Sequence, residues 1–437
     1  MMGAETRAER WRRARDASAV YALTAGAAPP VRPLAGEAAV DVAVVGGGIT
    51  GLSTAWHLAR AGVRVAVLEA STFGWGASGR NGGQINPGLK YEPAVVEKTF
   101  GADLGARMVT FSGGAPDKVF AIIAEAGIAC EAVRSGTVRA AFSPGSVAFL
   151  ERATGDLARR GAPVEWLGRA AMESMTGTGR YVAGAVDRRG GALNPLAYSR
   201  GLATAAEKAG ALLHAGSPAT ALKRTRDGWQ IETPGGRVTA GRVVLATNGY
   251  TDDLWPGLKR AVVPVYGGIV ASEPLPREAV ARILPGRHVL YEHESITVYY
   301  RLDAAGRLLM GGRSRLKPLA GPQAFGDLMH YTRRLWPFLG DLRWSHGWNG
   351  QLAITADHYP VLTNPAPGLM ACIGYNGRGV AMASAMGGEL ARWATGTPAG
   401  ALDMPVRPAR SFPLHAFWPL GAAVRIAYGR MRNTLGL

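Results

Sequence analysis

Three glycines and one glutamate lie near the start of the chain at a spacing that can hold a dinucleotide. Gly46, Gly48 and Gly51 form the pattern G-x-G-x-x-G, and Glu69 follows 18 residues after the last of them. In such a motif the first glycine permits a tight turn, the second lets a pyrophosphate approach the backbone, and the third allows close helix–strand packing. The phosphates would lie at a helix N-terminus, and Glu69 is placed to accept hydrogen bonds from a ribose. The pattern predicts a bound dinucleotide without saying which one.

A strand, a helix and a second strand must position this motif. Residues 39–45 form a continuous apolar run, which is typical of a parallel strand buried on both faces. Residues 49–61 have helical periodicity, and residues 64–68 form a second apolar strand that ends at Glu69. This order predicts a βαβ unit, and it makes the nucleotide assignment more specific than the glycine pattern alone.

Glycine-rich segments further along favour FAD over NAD. Residues 74–83 are rich in glycine and small polar residues, where a nicotinamide dehydrogenase usually continues with regular βαβ units. Such a segment can wrap a ligand that extends toward a flavin ring, although a solvent loop has a similar composition. The strand end "LATNGYT" at 245–251 lets the chain pass close to a cofactor. The late "GYNGRGVAMA" places Gly377 and Gly379 at a helix N-terminus, where N–H groups would stabilise negative charge on a reduced flavin.

These motifs together resemble those of the D-amino-acid-oxidase-like FAD oxidoreductases, and within them those of the γ-glutamylputrescine oxidoreductase group. The resemblance rests on "VVGGGITGLSTAWHLA", "GWGASGRNGGQINPG", "ATNGYTDDLWPGLKRAVVPV", "YYRLDAAGRLLMGGR", "WNGQLAITADHYPVL" and "GYNGRGVAMA". In order and spacing they cover about residues 39–397.

The resemblance implies a fold and a division into domains. The expected fold class is α/β (α+β), with a Rossmann-like FAD-binding domain and an inserted antiparallel-sheet substrate domain, as in the glutathione-reductase-like class of amino-acid oxidases. We predict an N-terminal arm and linker at 1–37, and a discontinuous FAD-binding domain at 38–92, 150–255 and 350–400. The substrate domain is predicted at 93–149 and 256–349, and a basic amphipathic tail at 401–437.

The resemblance also implies the residues that contact the cofactor. FAD is expected to be non-covalent, because residues 74–84 contain no histidine and Cys372 precedes the late glycine turn. The expected cofactor-binding residues are Gly46, Gly48, Ile49, Thr50, Gly51, Glu69, Ala70, Gly76, Ala77, Ser78, Arg80, Asn81, Gly82, Gly83, Gln84, Ala219, Thr247, Asn248, Gly249, Asn376, Gly377, Arg378, Gly379 and Val380.

The implied reaction is oxidation of a C–N bond in an amine or amino acid derivative. A hydride passes to flavin N5, the imine hydrolyses, and O₂ or another acceptor takes the electrons. The main alternative is an N-methyl or cyclic imino-acid oxidase or dehydrogenase on the same fold.

Tyr299 and Tyr300 point to opposite faces of a hairpin strand. We expect Tyr300 to line an amine site and Arg301 to hold a substrate carboxylate. In some members of the resembled family a lysine near the flavin ring assists O₂ reduction. The candidates for this role here are Lys259 and Lys90.

Composition limits the remaining possibilities. The formal net charge of +17 permits an RNA-associated flavoprotein, but charge spread over solvated faces is the simpler interpretation and no nucleic-acid partner is expected. Two cysteines far apart in sequence predict neither disulfides nor a metal site, which fits a cytoplasmic location. No apolar run approaches the ~20 residues of a membrane span, although the basic amphipathic tail allows a peripheral membrane contact.

Overall fold

The computed structural model describes residues 19–293 and 297–435. Residues 1–18 of the predicted N-terminal arm lie outside the described residues. The helices, numbered in chain order, are α1 (Ile49–Arg60), α2 (Pro93–Phe100), α3 (Ala102–Gly113), α4 (Ala115–Ala126), α5 (Pro144–Arg159), α6 (Arg169–Thr176), α7 (Pro195–Lys208), α8 (Arg277–Arg282), α9 (Gly326–Leu335), α10 (Gly379–Ala394) and α11 (Trp418–Leu435).

The strands of the described residues are numbered in the same way. In chain order they are β1 (Gly36–Val45), β2 (Val65–Leu68), β3 (Gln84–Ile85), β4 (Thr137–Ala141), β5 (Val164–Gly168), β6 (Ala183–Asp187), β7 (Gly191–Ala192), β8 (Leu212–His214), β9 (Ala221–Arg224), β10 (Trp229–Thr233), β11 (Gly236–Leu245), β12 (Val263–Pro274), β13 (Val289–Glu292), β14 (Val298–Leu302), β15 (Arg307–Arg315), β16 (Trp344–Ile354), β17 (Val361–Ala366) and β18 (Leu369–Ile373).

The first sheet is built around the predicted βαβ unit. Its strand order is β17-β18-β11-β1-β2-β8, and the pairs from β18 to β8 are all parallel. The antiparallel hairpin of β10 and β11 turns between Thr233 and Gly236. Every residue of β2 is buried, as the continuous apolar run requires for a strand covered on both faces.

The second sheet carries the predicted antiparallel domain. Its order is β16-β12-β15-β14-β13-β4-β6-β5, and every neighbouring pair is antiparallel except β13 and β4. The hairpin of β14 and β15 turns at residues 303–306. The fold class is therefore the predicted one, a Rossmann-like parallel sheet combined with a mainly antiparallel sheet.

Sheet membership and packing differ from the predicted domain division at two places. Residues 93–126 were assigned to the substrate domain, yet Met108 of α3 and Val119 of α4 pack in the same core as Leu52 of α1. Residues 164–187 were assigned to the FAD-binding domain, yet β5 and β6 extend the second sheet. An amphipathic helix or a short strand shows in sequence which face it buries, but not which of two sheets it joins.

The helices of the described residues fall short of what a bilayer span requires. None combines a sufficient length with a sufficiently apolar composition to cross a membrane.

Candidate active site

A large cavity lies where the two sheets meet. Its volume is ≈ 1010 Å³, and its walls include the glycine turn after β1 as well as Val265 and Ile269 of β12 and Leu352 of β16. This volume lies at the upper end of the ~300–1,000 Å³ range of small-molecule sites, so the cavity can hold a large ligand.

The glycine turn after β1 has backbone geometry that excludes side chains. Gly46 has φ +111°, and a Cβ there would lie 2.8 Å from the carbonyl oxygen of Ala246. A Cβ on Gly51 would lie 2.0 Å from the carbonyl oxygen of Gly46, so the helix can approach the strand only with glycine at this position. The turn therefore brings the N-terminus of α1 directly against the end of β1.

Glu69 lies at the end of β2 with its carboxylate held by backbone donors. Its oxygens accept hydrogen bonds from the backbone N–H of Gly47 at 2.7 Å and of Ser71 at 2.8 Å. Burial raises the pKa of this carboxyl above its ordinary value, and the backbone donors offset part of that rise. A carboxylate has room for about four hydrogen bonds, so it can still accept from ribose hydroxyls.

The glycine-rich segment after β2 folds back over the helix N-terminus. Ser78 Oγ accepts from the backbone N–H of Ile49 at 2.9 Å. The side chain of Asn81 closes the segment on itself, donating to the carbonyl oxygens of Ala77 and Ser78 and accepting from the N–H of Gly83. The segment is therefore an ordered wall of the cavity, not a solvent loop.

Two asparagines fix the chain at the other glycine motifs. Asn248, with φ +42°, accepts through Oδ1 from the backbone N–H of Gly374 at 2.8 Å. Asn376, with φ +53°, accepts through Oδ1 from the backbone N–H of Thr355 at 2.9 Å. Asparagine tolerates this left-handed conformation better than most residues. These contacts join the end of β11 to the turn that begins α10.

Arg378 links that turn to the second sheet. Its guanidinium donates to the carbonyl oxygen of Pro87 at 2.8 Å and to the Tyr291 hydroxyl at 3.0 Å. Gly377 precedes it with φ +86°, and α10 begins at Gly379.

The structure brings most of the predicted cofactor residues to this one cavity. Gly51, Gly83 and Gly249 are not on its walls. The predicted residues that line it are Gly46, Gly48, Ile49, Thr50, Glu69, Ala70, Gly76, Ala77, Ser78, Arg80, Asn81, Gly82, Gln84, Ala219, Thr247, Asn248, Asn376, Gly377, Arg378, Gly379 and Val380.

Tyr300 and Arg301 do not line the cavity, so the expectation of direct substrate contacts from these two side chains is not supported. Tyr300 is fully buried in the core of the second sheet, with its ring edge-on to Trp336 at 4.9 Å. The buried guanidinium of Arg301 donates to the backbone oxygens of Gly82 and Leu193. Through its hydrogen bond to Gly82, Arg301 stabilises the glycine-rich segment. Tyr299, on the opposite strand face, lines the cavity.

Lys259 also lies away from this cavity. Its ammonium group pairs with Asp253 at 2.6 Å, and both side chains are exposed. Lys259 lines a second, neighbouring cavity instead. A lysine that does line the first cavity is Lys90, whose pKa is lowered by burial and by the nearby guanidinium groups of Arg378, Arg425 and Arg139.

Sequence reasoning missed two contributors to the cavity walls. Tyr291 of β13 lies on the strand next to Tyr299 and also lines the cavity. The C-terminal segment, including Trp418 and Ile426 of α11, forms another part of the wall. Strand alternation restricted the choice at Tyr299 and Tyr300, but no local signal places a C-terminal helix over a distant site.

This fold and site define a dinucleotide-binding oxidoreductase with a mainly antiparallel second domain. The chain belongs to the DAO family, FAD dependent oxidoreductase, whose family model matches residues 41–393. It is therefore an FAD-dependent oxidoreductase that acts on amine or amino-acid substrates.

Individual relatives agree with this assignment. The chain is 32% identical to a probable oxidoreductase OrdL of Rhizobium meliloti, over 84% of this chain and 85% of the relative. It is 31% identical to γ-glutamylputrescine oxidoreductase of Escherichia coli, over 83% of this chain and 85% of the relative. The crystal structure of glycine oxidase from Geobacillus kaustophilus superposes with a TM-score of 0.72 at 23% identity, over 84% of this chain and 96% of that one, which shows a shared fold.

The residues present fit FAD. The glycine cradle and the N-terminus of α1 suit a pyrophosphate, and the half-buried Glu69 carboxylate on the cavity wall suits the adenosine ribose. The cavity continues from this end past the segment 76–84 to Tyr291 and Tyr299, so a ring system can lie against the second sheet.

Proposed function

We propose that this protein oxidises the C–N bond of a γ-glutamylputrescine-like amine or amino acid derivative, with non-covalent FAD and O₂. The observation that carries the proposal is the continuous cavity, which joins the glycine turn and Glu69 to an aromatic and basic end on the second sheet. When bound, FAD would supply the acceptor for a hydride from the carbon that bears the nitrogen; the imine would hydrolyse in water, and O₂ would take the two electrons with two protons to become H₂O₂.

The chain's own residues would perform binding and orientation. Tyr291 and Tyr299 would flank the amine, because aromatic faces attract a cationic nitrogen before it loses its proton. Arg378 is fixed by Pro87 and Tyr291, so it presents a preformed positive charge beside the ring end. The buried apolar walls from Val265 and Ile269 exclude water from the reacting carbon.

A second candidate function is oxidation of an N-methyl or cyclic imino acid. Lys90, Arg378 and Arg425 all line the cavity and lie close enough for the two arginines to lower the pKa of the lysine. Such a cluster favours a substrate with a carboxylate near the reacting nitrogen. The KM values of γ-glutamyl amines and of N-methyl or cyclic imino acids can be compared directly for their dependence on these three basic residues.

Non-covalent attachment of FAD is supported by the position of Cys372. Its thiol is fully buried, it accepts a hydrogen bond from the Tyr375 hydroxyl at 3.2 Å, and it is not on the cavity wall. Burial raises the pKa of this thiol to about 12, which makes it a poor nucleophile. Acid precipitation should leave all flavin in the supernatant; flavin that stays with the protein pellet would contradict this part of the proposal.

The reaction is tested by an anaerobic screen of the purified holoenzyme. Mono- and diamines, their γ-glutamyl derivatives, N-methyl amino acids and cyclic imino acids are added in turn while the ~450 nm flavin band is followed. Bleaching by a γ-glutamyl amine, followed by recovery and H₂O₂ on admission of air, is the expected result. Bleaching only by N-methyl or cyclic imino acids supports the second candidate. Absence of bleaching with every compound would overturn both.

A further inference from the structure

The C-terminal segment lies across the rim of the cavity and is fixed there by backbone contacts. The backbone N–H of Phe412 donates to the carbonyl oxygen of Arg260 at 2.8 Å. The imidazole Nε2 of His415 lies 2.9 Å from the carbonyl oxygen of Val262. Helix α11 begins three residues later, at Trp418. The start of the helix is therefore held by the loop that precedes β12.

Helix α11 is apolar on two faces. One face, with Trp418, Ala422 and Ile426, lines the cavity. The other face exposes large apolar side chains at intervals of three and four residues, which places them in one row along the helix. These residues, with Phe417 immediately before the helix, form the outer stripe: Phe417 (66% exposed), Leu420 (67%), Val424 (63%), Tyr428 (50%) and Met431 (51%). Phe417 and Leu420 lie at the rim and also line the cavity.

The charge of this segment restricts what can cover the outer stripe. From Met404 to the C-terminus the sequence contains five arginines and no aspartate or glutamate. A two-fold contact between copies of this chain would place the same basic helix against itself, with no acid in the segment to compensate. A negatively charged lipid surface accepts both the apolar row and the arginines.

We propose that the outer stripe of α11 docks the protein on an anionic membrane surface. In that position the rim of the cavity faces the lipid, because Leu414, Phe417 and Leu420 are both exposed and part of the cavity wall. Substrates or electron acceptors held at the membrane would reach the cavity from this side. Docking does not depend on the proposed oxidation, and vesicle binding can be measured whether or not an amine substrate is known.

The test is co-sedimentation of the FAD-loaded full chain with vesicles. Vesicles of phosphatidylcholine with about 30% phosphatidylglycerol should bind the protein, and pure phosphatidylcholine vesicles should bind it much less. The triple variant Val424→Ser/Tyr428→Ser/Met431→Ser should lose about tenfold or more of this binding. These residues are exposed and are not on the cavity wall, so flavin content and thermal unfolding should stay close to those of the parent.

A matched control removes exposed apolar side chains outside the C-terminal segment. Leu23→Ser/Val95→Ser/Leu212→Ser changes three exposed apolar side chains far from α11 in sequence and should leave vesicle binding unchanged. The proposal is overturned if the parent does not bind phosphatidylglycerol vesicles, or if both triple variants bind equally well. It is also overturned if the stripe variant instead converts a dimer to a monomer in sedimentation velocity, since the stripe is then a contact between copies.

Discussion

The Glu69 carboxylate allows a direct test of where the ribose of FAD binds. It is half-buried, and the backbone N–H groups of Gly47, in the glycine turn, and of Ser71, in the following loop, donate to it. Glu69→Gln keeps the shape but brings an NH₂ group toward two N–H donors. We expect FAD to bind about 10–100-fold more weakly, the loss of a charge-assisted hydrogen bond worth about 1.5–3 kcal/mol.

The measurement for Glu69→Gln is fluorescence titration of the apoprotein with FAD. Glu165→Gln is the control, because Glu165 is an exposed surface residue paired with Arg188. An unchanged FAD affinity in Glu69→Gln would contradict the placement of the ribose at this carboxylate.

Lys90 gives the cavity a charge that depends on pH. Because its pKa is lowered, its positive charge is lost at a lower pH than that of a lysine with the ordinary pKa. Affinity for a substrate carboxylate should therefore fall as pH rises through this lowered pKa. Lys90→Met should raise KM by about tenfold with a smaller change in kcat, and should remove this alkaline limb.

Lys90→Arg is the informative comparison for that profile. An arginine stays charged at high pH, so the limb should move beyond the measurable range while KM stays low. Lys98→Met, at an exposed position of α2, should leave the profile unchanged. A pH profile of kcat/KM that is the same in all four proteins would contradict a role for Lys90 in substrate binding.

At the scale of elements, β14 separates two neighbouring tyrosines into different roles. Tyr300→Ala empties space in the core of the second sheet and should lower the free energy of unfolding by about 3–5 kcal/mol, with KM of the folded enzyme little changed. Tyr299→Ala should instead change KM, because this ring lies beside Gly82 on the cavity wall. Urea unfolding and steady-state kinetics separate the two effects; a larger KM change in Tyr300→Ala would contradict this assignment.

The junction of β1 and α1 depends on Gly51. Gly51→Ala would place a methyl group against the Gly46 carbonyl oxygen, so α1 must move away from β1. We expect a loss of about 1–3 kcal/mol in stability together with weaker FAD binding. The control Gly145→Ala lies in α5 with nothing within 4 Å of the added atom, and it should be neutral or slightly stabilising.

The βαβ unit and the glycine motifs could be predicted because their signals are local. Gly51 is required by contacts with Gly46 and Val44, which lie within a few residues of it, and the positive φ of Gly46 belongs to the same local turn, although the atom that excludes a side chain at Gly46 comes from the distant Ala246. The role of Tyr300 could not be settled in the same way, since alternation shows that neighbours point apart but not which face meets the cavity. The packing of α2–α4 and the position of α11 depend on surfaces that only the folded chain creates.

The charge of the whole molecule is large, but part of it is compensated where it lies. Exposed arginines form ion pairs with acidic neighbours, as Arg188 does with Glu165 and Arg237 with Glu37. We therefore expect no retention of tRNA by the holoenzyme at ~50 mM salt. Steeply salt-dependent binding of tRNA in a filter or mobility-shift assay would contradict this expectation.

Tyr21 lies outside the part of the chain that matches the family model, yet it contacts the glycine-rich segment after β2. Its hydroxyl donates to the carbonyl oxygen of Asn81 at 2.7 Å, and its ring packs edge-on against Trp348. Helix α11, beyond the other end of the match, forms part of the cavity wall. The unit that folds around the cofactor is therefore longer than the unit that defines the family, and an expression fragment trimmed to residues 41–393 would lack both ends of its own binding site.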